Sequence, residues 1–305
     1  EMDAKIKKAF KDLAVPPKPA ATKVAIMIAD LIRKAPSSGQ DAVRKQLLQR
    51  YEEKGLIWEG GALPVLVTLI NQVQEKPILE AVSLALWQVL IGFEGSEAAG
   101  AAKILVQLCK DKSLLVQAHA TAALLELGSA GSHFRVQILE AGGLESLTTV
   151  IASIDSDEVI TKQGVNKLIP YKPGQRQEAA AGALRILGQE PAAQELVARA
   201  GTMRHLISIC ETCTAPEGSK TREAAAGALF GFLQLSTNRA LLVEAGGVPA
   251  LIATADTASD EARMLAAGAL WELSLEVDLR PDLIRAGAVP SLLALCAPGR
   301  SDATH

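Results

Sequence analysis

The residues best placed by type and spacing to do chemistry are Cys210 and Cys213, the ends of a C-x-x-C in Cys210-Glu-Thr-Cys213. That spacing suits a dithiol that cycles through a disulfide, or one half of a tetrahedral zinc site. Zinc needs a second Cys/His pair, and His119, His133, His205 and His305 are scattered, none of them in a motif with a nucleophile. The stretch Gly95–Lys103, GSEAAGAAK, superficially resembles a phosphate-cradling loop. It lacks the G-K-[ST] ending whose lysine and hydroxyl would hold phosphate and magnesium. No G-x-S-x-G is present either. These residues predict no catalytic site, no cofactor and no metal.

What surrounds them is a repeat. One phrase recurs at Glu59–Pro64, Glu140–Leu144, Arg199–Met203, Glu244–Pro249 and Arg285–Pro290, with a weaker copy at Ala99–Lys103. Gly61, Gly100, Gly142, Gly201, Gly246 and Gly287 form one column, with successive steps of 39, 42, 59, 45 and 41. A second phrase, clearest as EAAAGALRIL from Glu178, EAAAGALFGF from Glu223 and MLAAGALWEL from Met264, follows each first one. Its column of Leu86, Leu124, Leu184, Leu229 and Leu270 steps by 38, 60, 45 and 41. Two columns with the same rhythm define a repeating unit of the length that solenoid proteins use.

The chemistry of each unit predicts three helices. The glycine falls where a short first helix must stop, because glycine enters the left-handed region at little cost. Pro64, Pro249 and Pro290 stand three positions on, where a fixed φ suits the first turn of a second helix. That helix is apolar at helical spacing, as in Leu66, Leu69 and Ile70. The long, alanine-rich third helix follows. One unit cannot bury its apolar face alone, whereas stacked copies share a continuous core. Within this register Cys109, Cys210 and Cys296 occupy one column with Ile70, Ile151 and Ala255. A column that accepts Cys, Ile or Ala is an apolar packing position, which argues against redox or metal chemistry at the C-x-x-C. Gly182, Gly227 and Gly268 share another column inside the third helices, implying close helix approach.

The phrases A-G-G-V-P at 244–251 and A-A-G-A-L-W-E-L-S at 266–274 resemble the armadillo repeat family. The resemblance covers about 56–297. It implies an all-α, right-handed solenoid of about six three-helix repeats, with 1–55 as an N-terminal arm and degenerate helical cap and 298–305 as a tail. Tetratricopeptide and ankyrin repeats have shorter periods, and HEAT repeats are the nearest rival. In the family the third helices line a concave groove, where an asparagine ladder holds an extended peptide in importin-α and β-catenin. The corresponding residues here are Gln88, Glu126, Ile186, Gly231 and Glu272. Importin-α adds a tryptophan one turn earlier, where this chain has Leu84, Ala122, Gly182, Gly227 and Gly268. Both ladders are absent, which disfavours a receptor for basic import signals. One position before the asparagine stand Trp87, Arg185, Phe230 and Trp271. Trp and Arg dominate binding hot spots, although the same positions suit core packing. The expected concave interaction residues are therefore Trp87, Gln88, Glu126, Arg185, Phe230, Trp271 and Glu272.

Two segments break the rhythm. The step from Gly142 to Leu184 is 42, against 24 from Gly246 to Leu270, so extra chain is inserted within 152–177. Lys162, Lys167, Lys172 and Arg176 make the insertion's second half basic, and Tyr171 adds an aromatic ring. Insertions in repeats map to loops on one face, often the binding face, so these five form a second expected interaction set. Leu13–Lys23, LAVPPKPAATK, reads as a polyproline-like spacer between a basic amphipathic segment and an apolar one.

The 305 residues are 49% hydrophobic and 3% aromatic, with a net charge of −3. No basic field favours nucleic acid or an anionic membrane. The longest apolar stretches, Val24–Ile32 and Ala81–Phe93, fall short of the ~20 residues a membrane span needs. Four cysteines are too few for a disulfide scaffold, so a reducing, cytoplasmic setting is the expectation, or an organelle interior had a targeting segment been removed. The expected function is a non-enzymatic scaffold or adaptor, or a fixed subunit of an assembly, whose partners are proteins. The alternatives are a cargo adaptor for linear motifs and the substrate-binding module of a larger ubiquitin ligase.

Overall fold

A computed structural model describes residues 67, 70, 76–91, 100–153, 175–213, 219–257 and 259–295. The expected N-terminal arm, most of the insertion (including Lys162, Lys167, Tyr171 and Lys172), Cys296 and the tail lie outside these residues. Among the described residues every regular element is helical. The chain divides into two compact units, with described residues 67–141 in the first and 142–295 in the second.

In the first unit, α1 (Lys76–Leu90) packs beside α3 (Leu114–Ala130), and α2 (Ala101–Leu108) packs against α3. The short α4 (Ser132–Glu140) lies against both α2 and α3. The core is aliphatic, with Leu86, Leu90, Leu105, Leu124 and Leu127 buried, and Phe134 of α4 is buried as well.

The second unit repeats a three-helix motif. It begins with α5 (Gly143–Ala152) and α6 (Gln175–Leu187). Next come α7 (Pro191–Ala200), α8 (Thr202–Thr212) and α9 (Ser219–Phe232), then α10 (Ser236–Glu244), α11 (Gly247–Thr257) and α12 (Asp260–Ser274). A 3-10 turn (Val277–Leu279), α13 (Arg280–Ala286) and α14 (Ala288–Leu295) follow. Like packs on like: α6, α9 and α12 neighbour one another in order, as do α5, α8, α11 and α14. Each repeat buries its neighbour's apolar face, as expected of a one-dimensional stack.

The glycine column does what the repeat requires. Gly100, Gly142, Gly201, Gly246 and Gly287 all have positive φ, between 67° and 87°. Each turns the chain into a second helix through a conformation in which any Cβ would be strained. The cysteine column is also as expected where it is described: Cys109, Cys210, Ile70, Ile151 and Ala255 are all buried.

One feature of the repeat has no counterpart in the expected motif. After a third helix, a side chain from the next first helix reaches back to a carbonyl near the third helix's end. Arg135 Nη1 donates to Gly128 O at 3.3 Å, Gln194 Nε2 to Gly188 O at 3.0 Å, Arg239 Nε to Leu233 O at 2.9 Å and Arg280 Nε to Ser274 O at 2.9 Å. The last carbonyls of a helix lack internal partners, and a donor, especially a cation, satisfies them. Asn238 adds a tie between repeats, with Nδ2 donating to Phe232 O and Gln194 O.

Candidate interaction surface

The residues that precede the family's asparagine position are held in place by the glycine column of the next third helix. A Cβ on Gly227 would meet the stem of Arg185, with Cγ at 3.1 Å. A Cβ on Gly268 would meet the ring of Phe230, with Cε2 at 3.1 Å. Each glycine therefore seats a large side chain from the preceding third helix, and the close approach expected from the sequence is side chain on backbone at these positions. Backbones approach each other closely at Gly188 and Gly231, where a Cβ built on either lies within 3.6 Å of backbone atoms of the other. Arg185 remains exposed although its stem is seated, and Phe230 is half-buried. Such a row combines a fixed stem with an accessible head, which suits recognition because little rotamer freedom is lost on binding.

Trp271 occupies the same position on α12 and is 57% exposed. In the first unit Trp87 is half-buried, and its ring stacks on His119 with centroids 6.1 Å apart and planes at 23°. Neither Trp87 Nε1 nor His119 Nε2 meets a hydrogen-bond partner among the described residues. Ser83 Oγ lies 2.9 Å from His119 Nδ1. Burial lowers the His119 pKa to about 4, so the imidazole is neutral at pH 7. Glu126 is half-buried on α3, and the side chain of Gln88 lies outside the described residues.

Two expected interaction residues are placed differently. Glu272 is 4% exposed, with its carboxylate bonded to Arg239 Nη2 at 2.7 Å and Gln234 Nε2 at 3.0 Å. It ties α12 to α10 and is not free for a partner. Arg176 is not in a loop at all. α6 starts at Gln175, so Arg176 sits in its first turn, fully buried, and donates from Nη2 to Ser153 O at 2.9 Å. The guanidinium closes the base of the insertion, linking the end of α5 to the start of α6. The sequence signal for both corrections is helical spacing. Arg176 shares the inward face with the buried Ala179 and Ala180, and Glu272 follows the buried Ala269 at one turn's spacing.

Cys210 and Cys213 stand at the end of α8. Cys210 is buried and Cys213 half-buried, and no group of three or more His, Cys, Asp or Glu side chains suited to a metal ion occurs among the described residues. Burial pushes the thiols of Cys109 and Cys210 up to about 12, which keeps them protonated and unreactive. No helix among the described residues is long and apolar enough to cross a membrane.

Comparison with known proteins agrees with this geometry. Residues 236–275, spanning α10 to α12, match the sequence model of the Armadillo/beta-catenin-like repeat. A designed armadillo repeat protein in complex with the peptide (KR)4 is 21% identical, with a TM-score of 0.65, over 80% of this chain and 95% of that one. A computationally designed armadillo repeat protein for modular peptide recognition gives a TM-score of 0.65 at 20% identity, over 80% and 95%. An engineered protein gives 0.68 at 21% identity, over 96% of this chain and 70% of its own. No curated protein sequence matches the chain. The chain has the all-α armadillo-repeat fold.

Proposed function

We propose that the chain is a protein-interaction scaffold, holding a partner protein through the third-helix row of its second unit and through the basic insertion. The observation that carries this reading is Arg185, whose stem is seated on Gly227 while the residue stays exposed. Phe230, seated on Gly268, supplies an apolar neighbour one repeat on. Arginine beside an aromatic ring on a rigid helical frame is the composition of a binding hot spot. In the first unit, Trp87 and Glu126 occupy related positions on α1 and α3. Lys162, Lys167, Tyr171 and Lys172 of the insertion supply a second contact, suited to an acidic or aromatic partner surface. The affinity comes from anchors and shape, since the asparagine ladder that reads a peptide backbone is absent.

A cargo adaptor for linear motifs is the second reading, supported by a neighbour of the same fold that holds the peptide (KR)4. Affinity capture with the wild type, a deletion of 155–170 and an Arg185→Ala/Phe230→Ala double variant tests both. The scaffold reading expects each change to remove partners while the helical content stays unchanged. Loss with the double variant alone, together with competition by a short synthetic peptide, would replace it with the adaptor reading. Retention of every partner by both variants would refute the site.

A further inference from the structure

Taking the third-helix row of the second unit as the contact site, we infer that the partner lays an α-helix along α6 and α9, with a basic side chain at one end and a carboxylate at the other. Arg185 has a counterpart on its own helix. Glu178 stands seven residues before Arg185 on α6, and Glu223 stands seven residues before Phe230 on the neighbouring α9. Seven residues make two helical turns, so each pair shares a face, with its members about 10.5 Å apart along the axis. Glu178, Glu223 and Phe230 are half-buried and Arg185 is exposed. Among the described residues, none of the three charged groups takes part in an ion pair. Glu223 accepts a long hydrogen bond from the exposed Ser259, at 3.5 Å. The row therefore carries two acids at one end and a cation beside an aromatic ring at the other.

The stretch between these ends governs what can lie across it. It reads Ala-Ala-Ala-Gly-Ala-Leu in both helices, at 179–184 and 224–229, and all of these residues are buried. Ile186 and Gly231, next to Arg185 and Phe230, are half-buried. None of these side chains can donate or accept a hydrogen bond. An extended segment brings a backbone N–H and C=O at every residue, and leaving them unpaired at a contact costs free energy. A helix pairs those groups internally and needs only side-chain contacts. Its period also fits, because a lysine and a glutamate seven residues apart stand on one face at the separation of Glu178 and Arg185. The lysine meets the two acids, while the glutamate meets a guanidinium whose stem is seated on Gly227. An apolar residue beside that glutamate covers the ring of Phe230, itself seated on Gly268. A uniformly basic segment would set a cation on Arg185, and a uniformly acidic one would set carboxylates on Glu178 and Glu223. Like charges so placed are rejected, which gives the site its selectivity.

Fluorescence anisotropy of a stapled, alanine-based helical peptide with the full 305-residue chain tests it. The probe carries one lysine, a glutamate seven positions later and a leucine beside the glutamate. The expected result is saturable binding below about 1 mM. Moving the glutamate two positions along turns it to the opposite face and should weaken binding at least tenfold. Arg185→Glu should weaken binding of the first probe by as much, with unchanged far-ultraviolet circular dichroism. A probe with a second lysine in place of its glutamate should bind that variant at least tenfold more tightly than the first probe does. No binding of the first probe to the wild type overturns the inference, as does equal binding of the probe with the displaced glutamate. Equal binding of a probe broken by a central proline also overturns it and assigns the row to an extended segment. Failure of the probe while Arg185→Ala/Phe230→Ala still loses captured partners would remove the helix and leave the site, so the two proposals fail separately.

Discussion

Arg239 of α10 and Glu272 of α12 meet at 2.7 Å with side chains 12% and 5% exposed, so the first and third helices of one repeat are joined by an ion pair almost removed from water. The guanidinium also reaches Glu276 at 2.7 Å and the Leu233 carbonyl, while the carboxylate takes the Gln234 amide. A buried pair with both members satisfied contributes little net stability, but removing one member strands the other's charge. Arg239→Met strands the buried Glu272 carboxylate and should therefore destabilise the second unit by about 3 kcal/mol. The double variant Glu272→Leu/Arg239→Met should recover more than half of that loss. Urea denaturation of the three proteins checks both expectations. Equal losses for single and double variants would show that no charge had been stranded.

Gly227 separates the position of Arg185 from the stability of its helix. Alanine in place of glycine in a helix interior gains about 1 kcal/mol of propensity. The new Cβ displaces the stem of the exposed Arg185 and comes 3.3 Å from Cδ1 of the half-buried Leu265, both side-chain atoms and neither of them backbone. Gly227→Ala should leave the melting temperature unchanged or raised. Because Arg185 loses its seat, partner capture should fall to the level of Arg185→Ala. Gly247→Ala is the contrasting case. Its Cβ would lie 2.7 Å from Cγ of the buried Leu242 and 2.9 Å from Ile207 Cδ1, so the core must shift. Overpacking of this kind costs about 1–3 kcal/mol, measurable as a lower denaturation midpoint.

The repeat is legible in the sequence because its demands are local. A left-handed turn needs glycine wherever it recurs, so the column of Gly100, Gly142, Gly201, Gly246 and Gly287 shows in the chain and reappears as five positive φ angles. The buried cysteine column is readable for the same reason, since one position in the register has one environment. Relations between helices are not local. Arg239 and Glu272 stand far apart in the chain, and nothing near either says that their side chains meet. The bonds back to the third-helix carbonyls are hidden because Arg135, Gln194, Arg239 and Arg280 differ in type and share only the ability to donate. Arg176 reads as a basic loop residue until the helix start at Gln175 turns it inward.

Thiol reactivity provides a local test of burial at the C-x-x-C. Cys109 and Cys210 are buried, and their thiols are pushed up to about 12, so at pH 8 almost no thiolate exists at either. Cys213 is half-buried at the end of α8. Under native conditions Cys213 should react with a disulfide reagent ahead of the other two. Cys109 and Cys210 should become reactive only with the unfolding transition. Peptide mapping after timed alkylation reads this directly, and rapid native labelling of Cys210 would show that the column is open to solvent.

His119 sets a pH window for the first unit. Its ring is buried between α1 and α3, stacked on Trp87 and beside Ser83, and burial lowers its pKa from 6.5 to about 4. The unfolded chain binds a proton near pH 6.5, whereas the folded one resists until near 4, so between these values the unfolded state holds more protons. Stability from this group is thus fully present above pH 6.5 and is lost as pH falls through the window. The full effect is on the order of 3 kcal/mol. Other groups contribute to acid unfolding, so the difference between proteins is the useful readout. His119→Gln keeps a polar side chain of similar length that does not titrate. Its denaturation midpoint should fall less than that of the wild type between pH 7 and pH 4.5. Parallel pH profiles for the two proteins would mean that the imidazole is protonated as easily in the folded unit as in the unfolded chain, and would refute the lowered pKa.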